Sequence, residues 1–277
     1  MPFPKNVPGP SAPNMRSVER VAAILSCFTM ARPLLTLTEV AQAVALDKNT
    51  TRRLLIALLQ TGLVHRNEAD GTYGLGMQVL KLQPAVVAPR ELRETAAPYL
   101  QGLTEKTAMT SFFWLPDAEG AICIERVRAS NMFLEVPWSV SGRTLPLNIA
   151  AGPRVILSHL DDAARMEWLS RPQQAFTQYS LTDTAALLET SQRIHAQGYE
   201  IVANDLVVGL AGLGVPVFDR QGAFIGSVSV TSRSNDFDDP RILERVLSVV
   251  RDTAAAIGVR LGDDPQSIGG KAMSSHY

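Results

Sequence analysis

The stretch LDKNTTRRLLIALLQTGLV, residues 46–64, gathers Lys48, Asn49, Thr50, Arg52 and Arg53 at the front of a leucine-rich run. Lysine and arginine neutralise phosphates. Arginine can also pair bidentately with guanine, and asparagine with adenine. Leu54, Leu55, Leu58 and Leu59 recur at three- and four-residue steps, which predicts a helix with an apolar back and a polar, cationic front. Such a helix is either a solvated surface element or a rod that lays its front in a DNA groove. The charge distribution and the neighbouring elements favour the groove.

A second set of polar residues sits among small and apolar ones. SGRTLPLNIAAG, residues 141–152, offers Arg143, Thr144, Leu145 and Asn148 on a loop that enters an apolar helix, and ANDLVVGLAGLG adds Asn204 and Asp205. Small-molecule sites are mostly apolar with a few convergent polar groups. These segments are therefore candidates for a pocket that takes a small or aromatic carboxylate, with Arg143 as its anion partner. Groupings that would do catalysis do not emerge. His65, His159, His195 and His276 have no paired metal spacing, and no nucleophile elbow or P-loop is present. GLAGLG runs into a strand rather than a helix, so it does not cradle a phosphate. Cys123 lies inside an apolar strand pattern and reads as core. No catalytic residue, metal or cofactor is expected.

The elements that must carry these residues are legible in turn. SVERVAAILSCF is an amphipathic helix with Ser17 as its N-cap and Val21, Ile24, Leu25 and Phe28 facing inward. TLTEVAQAVAL opens with Thr36 and Glu39 at capping-box spacing, and a short turn at Ala45-Leu46 leads to Asp47 as N-cap of the cationic helix. Two short helices joined so tightly after a first helix match a helix-turn-helix. GLVHR, the turn NEADGT and YGLG then form a two-stranded wing, which places Arg66 and Tyr73 among the DNA-facing candidates.

MQVLKLQPAVVA and PRELRETAAPYLQGLTEKT are helical segments with a kink or break expected near Pro84 and Pro89. From Ala108 onward the strands AMTSFFWLP, AICIERV, NMFLEV, YEIVA, AGLGVPVFD and FIGSVSVTS, together with intervening helices, indicate an α+β domain with helices packed at one face. A long last helix starts at Asp239-Pro240.

Residues 1–83 hold nine Lys or Arg and five Asp or Glu, a net +4, inside a 277-residue chain of net charge −1, which leaves −5 for the remainder. A basic front on an acidic remainder suits a nucleic-acid module joined to a sensor. Five prolines in the first 13 residues predict a disordered tail rather than a secretory signal. The absence of a long apolar run and two well-separated cysteines point to a reduced, cytoplasmic, membrane-free setting.

SVERVAAILSCF, LTEVAQAVALDKNTTRRLLIALLQTGLV, YGLG, RTLPLNIAAGPRVILS and QGYEIVANDLVVGLAGLGVPVFDRQGAFIGSVSVTS together resemble the IclR-type bacterial transcriptional regulators, over about residues 15–262. The resemblance implies a winged helix-turn-helix DNA-binding domain (15–76), a helical linker (77–107) and a GAF-like effector-binding domain (108–262), between flexible ends at 1–14 and 263–277. It also implies that the two polar segments flank an effector cavity, with inward positions around Phe112 to Trp114 and at Ser227 and Ser229. The sequence departs from the family pattern at Ala45 where glycine is frequent, at Asn148 where histidine is common, at Pro153 where lysine is common, and after Gly198-Tyr199, where EIVANDLVV replaces the usual acidic cluster.

The expectation is a homodimeric or homotetrameric regulator that binds double-stranded promoter DNA, senses a small-molecule effector and controls catabolic genes. Two rivals stand beside it. One is a metabolic enzyme whose N-terminal helices serve assembly, and the other is a regulator that works without a ligand.

Overall fold

A computed structural model of the chain describes residues 15–29, 32–82, 87–130 and 142–262. The expectations for the two tails and for the strand NMFLEV lie outside these residues. The chain divides after Val86 into two compact units.

The first unit contains α1 (Met15–Ser26), α2 (Leu37–Ala43), α3 (Lys48–Gln60), β1 (Val64–Arg66), β2 (Tyr73–Leu75) and α4 (Met77–Leu82). Helix α1 begins two residues before Ser17, which therefore lies inside its first turn and is not its N-cap. Ile24, Phe28, Leu35, Val40, Leu55, Leu58, Val64 and Tyr73 form one core. Helix α2 starts in the expected capping box: Thr36 Oγ1 accepts from the Glu39 N–H, and the Glu39 carboxylate accepts from the Thr36 N–H. Those bonds hold the Glu39 carboxyl below its usual range.

The turn into α3 passes through Ala45 at φ 51°. A Cβ in this left-handed region crowds the following carbonyl, and only glycine escapes that strain. Gly62, at φ 72°, ends the recognition helix before the wing. The wing pairs antiparallel, Val64 with Leu75, His65 with Gly74 and Arg66 with Tyr73. Leu35 bridges to the other edge of Tyr73 through two backbone hydrogen bonds, 2.9 and 2.7 Å, and so ties the wing to the segment before α2.

The second unit begins with α5 (Val87–Thr107), followed by β3 (Thr110–Asp117), β4 (Gly120–Val127), β5 (Thr144–Leu145), α6 (Ala151–His159), α7 (Asp162–Leu169), α8 (Thr184–Gln197), β6 (Glu200–Ala203), β7 (Leu210–Phe218), β8 (Phe224–Arg233) and α9 (Pro240–Leu261). Pro89 falls in the first turn of α5, where a missing N–H costs nothing, so it marks a start and not a kink. Asp161, Asp183 and Asp239 each accept from a first-turn N–H of α7, α8 and α9.

The strands form one sheet in the order β5-β4-β3-β8-β7-β6, and every pairing is antiparallel. Alternation along β3 sends Phe113 and Leu115 into the core built with α5 and α9, and Phe112 and Trp114 into a second core with α6, α7 and α8. Helices therefore cover both faces, not one as the pattern suggested. The reason is visible in β3: PhePheTrpLeu is apolar at consecutive positions, which only a strand buried on both sides requires.

Substituting Ala45→Gly removes the left-handed strain at the cost of a more flexible unfolded chain. The expected net effect is stabilisation of the first unit by up to about 1 kcal/mol. Ala45→Val should destabilise it. Thermal unfolding of the two variants against wild type reads the difference.

Candidate nucleic-acid interface and effector face

The front and back of α3 separate cleanly. Thr51, Leu55 and Leu58 are buried, whereas Lys48, Asn49, Arg52 and Arg53 are exposed and Thr50 is half-buried. Asp47 Oδ1 accepts from the N–H groups of Asn49 and Thr50, at 3.0 and 2.9 Å, and these bonds keep its carboxyl below the usual range. The cap fixes the first turn of α3, where the candidate residues are concentrated, so the cationic front is held on a rigid frame. No salt bridge engages Lys48, Arg52 or Arg53 among the described residues.

On the wing, Arg66 is exposed and its guanidinium lies 5.9 Å from the centre of the Tyr73 ring. Tyr73 itself does not belong to the surface. Its ring is 7% exposed and packs with Leu35 and Val64, so it supports the wing from inside and holds Arg66. Period-two alternation in a three-residue strand was too short to tell the inner face from the outer.

In the second unit, α6 is pressed against the sheet at glycines. A Cβ on Gly214 would stand 2.9 Å from the Ala151 carbonyl carbon, and one on Gly152 would stand 2.6 Å from the Trp114 ring. Ser227 and Ser229 lie at this contact. Ser227 donates to the Gly152 carbonyl at 2.8 Å, and Ser229 accepts from the Trp114 indole N–H at 2.9 Å. Asn148 is fully buried; its Nδ2 donates to the carbonyls of Gln174 and Leu181, both at 2.8 Å, while its Oδ1 has no partner. Asn204 sits at φ 66° and accepts from the Gly209 N–H, a turn role.

Asp205 accepts from the Ala150 N–H at 2.7 Å and from Arg154 at 3.3 Å. The remaining three candidates, Arg143, Thr144 and Leu145, lie at β5, on the sheet edge opposite β6. The first two are half-buried and Leu145 is in the core.

Arg154 is the residue that sequence reasoning missed. It is 7% exposed, and it donates to the Asn148 carbonyl at 2.9 Å, to Glu200 at 3.3 Å and to Asp205. Glu200 takes a second cation, Arg193, at 2.7 Å. Burial pushes both carboxyls up, against the pull of their arginines. Asp205 and Asn148, read as groups for a ligand, are thus held by the protein. An arginine in an otherwise apolar helix, IAAGPRVILS, was the available signal. Cys123 is core as expected, with its thiol pushed up to about 12 by burial and then by Glu125. His195 is more than a helix-end side chain, since its ring packs 5.1 Å from that of His159.

Residues 84–259 match the family described as bacterial transcriptional regulator IclR, C-terminal, and residues 17–68 match the IclR helix-turn-helix domain. The chain belongs to the IclR family of bacterial transcriptional regulators. It is 29% identical to the glycerol operon regulatory protein of Streptomyces griseus over 255 residues, 91% of this chain and 98% of that one. It is 26% identical to the Pca operon regulatory protein of Acinetobacter baylyi over 241 residues, 86% of each chain.

Among solved structures, the IclR homolog complexed with 4-hydroxybenzoate from Microbacterium hydrocarbonoxydans aligns with TM-score 0.74 at 21% identity, covering 90% of this chain and all of that one. An IclR-family regulator from Alicyclobacillus acidocaldarius aligns with TM-score 0.74 at 22% identity, covering 88% and 98%. The fold is the family's: a helix-turn-helix domain followed by an α+β C-terminal domain. IclR proteins are transcription regulators, not enzymes. Among the described residues no helix is long and apolar enough to cross a membrane.

Within this IclR C-terminal domain, Arg154→Met should strand the buried Asp205 and half of the Glu200 pairing, a loss of about 3–5 kcal/mol. The sign with pH follows from burial. Without the guanidinium the folded-state carboxyl pKa values climb further, so the protein prefers bound protons more than its unfolded chain does. The deficit relative to wild type should therefore shrink as pH falls from neutral toward the carboxylate range. Denaturant unfolding at several pH values checks this, and a deficit that grows on acidification contradicts the network.

Proposed function

We propose that the protein is a cytoplasmic, dimeric or tetrameric regulator of catabolic promoters whose DNA affinity responds to a small or aromatic carboxylate. The observation that carries the DNA half is the two-faced α3: a buried Thr51-Leu55-Leu58 back and an exposed cationic front with no salt bridge among the described residues. In this reading Lys48, Asn49, Thr50, Arg52 and Arg53 enter the major groove, and Arg66 meets the backbone beside it. A dimer would present two such helices about 34 Å apart, one turn of DNA.

The effector half draws on relatives. The Acinetobacter protein regulates a pca operon, another relative of the same organism is a p-hydroxybenzoate hydroxylase transcriptional activator, and a structural neighbour is complexed with 4-hydroxybenzoate. The proposed cavity lies on the α6 side of the sheet, near Phe112, Trp114, Ser227 and Ser229, with Arg143, Thr144 and Leu145 toward its β5 end. Asn148, Asn204 and Asp205 act there as framing groups. The ligand shifts DNA binding only if it prefers one of two arrangements of the protein. A ligand-independent regulator is the second reading, and the internal bonding of Asn148 and Asp205 is what favours it.

Binding of the purified protein to its own upstream DNA and to an unrelated duplex, across a salt series, tests the proposal. Specific binding that falls steeply with salt is expected. Arg52→Ala and Arg53→Ala should each weaken it by about 1–3 kcal/mol without changing the unfolding midpoint. Equal affinity for both duplexes, or unchanged affinity in both variants, removes the groove-facing assignment. Titrating 4-hydroxybenzoate into the specific complex then separates the two readings: a shift in DNA affinity supports the first.

A further inference from the structure

A groove of about 400 Å³ opens between α9 and the end of β7, a volume suited to a small molecule. Strand β6 pairs with β7 only from Ala211 to Gly214, so Val215 to Phe218 run on past their neighbour. Pro216 and Phe218 line one side. One face of α9 lines the other through residues four apart, Arg251, Ala255 and Val259. Ala255 is the small residue that keeps the gap open. Val259 is a large apolar side chain left 47% exposed, and Phe218, 41% exposed, borders the groove at the strand edge while its ring packs against His159 and Phe224.

Two charges border this apolar trough, and each is held in place with bonding capacity to spare. Arg251 donates to the Gln197 carbonyl at 3.1 Å and stacks over Tyr199 at 5.5 Å, yet it makes no salt bridge among the described residues. Its guanidinium is held by these two contacts, with no counter-ion among the described residues. Asp219 spends Oδ1 on the N–H groups of Gln221 and Ala223, at 2.9 and 2.8 Å, and Oδ2 accepts from no donor among the described residues.

A plain carboxylate would gain the arginine and face the aspartate, and a plain amine would do the reverse. A zwitterion satisfies both. We propose that this groove binds a free α-amino acid with an aliphatic side chain, its carboxylate on Arg251, its ammonium on Asp219 and its side chain against Pro216, Ala255 and Val259. The proposal does not depend on the effector reading above.

Calorimetric titration of the full-length protein without DNA tests the assignment with L-leucine, isovalerate and isoamylamine, which share the hydrocarbon and differ in charge. L-leucine should bind at least about tenfold more tightly than either analogue, the worth of one charge-assisted hydrogen bond. Arg251→Gln and Asp219→Asn should each weaken leucine by about tenfold or more. Ala255→Phe, at an exposed helix position, should fill the groove and abolish binding. Isovalerate matching leucine overturns the proposal. So does leucine binding that survives all three substitutions, or no binding by any probe. Because DNA is absent from the titration, its result stands apart from that of the promoter experiment.

Discussion

The buried guanidinium of Arg154 is the charge around which one half of the second unit closes. It lies on α6 and reaches the loop before its own helix, strand β6 through Glu200, and the turn after β6 through Asp205. Two residues with left-handed or strained backbone, Ala150 at φ 62° and Asn204 at φ 66°, flank the network. Such conformations persist where surrounding bonds over-determine them. Here the Ala150 N–H is bound by Asp205, and Asn204 by the Gly209 N–H. The α6 N-terminus has no side-chain cap of its own, so the carboxylate of Asp205 performs that task from a distant part of the chain.

A network of this kind does not have to stabilise the fold to matter. Removing two carboxylates and a guanidinium from water is expensive, and their mutual attraction roughly offsets it. What it supplies is position. With α6 seated by Arg154 at one side and by the Gly152 and Gly214 contact beneath, Ser227, Ser229 and Trp114 are held within hydrogen-bond reach of the helix start or of one another. The recognition helix follows the opposite logic. Its back is apolar and its cap is local, and its charges face solvent with no salt bridge among the described residues.

The Asn148 position joins the two themes of the second unit. Its amide N–H groups fasten the segment between α7 and α8, while its Oδ1 is buried with no donor. An unsatisfied buried acceptor costs free energy, and a water or a ligand donor would recover it.

Much of the first unit was legible from sequence because its determinants are local. Capping box, N-cap, leucine spacing, turn glycine and charge each involve residues within a few positions of one another, and each predicts its own element. The exceptions there, Ser17 inside α1 and Tyr73 in the core, arise where one residue more or less decides the face. In the second unit, strand and helix patterns were also readable. The tertiary structure alone decided that helices cover both faces of the sheet, that Arg154 gathers Asn148, Glu200 and Asp205, and that Ser229 meets Trp114. Those contacts join residues 46 to 115 positions apart, apart from the Asn148 carbonyl, and no local pattern encodes which distant charge a buried arginine will find.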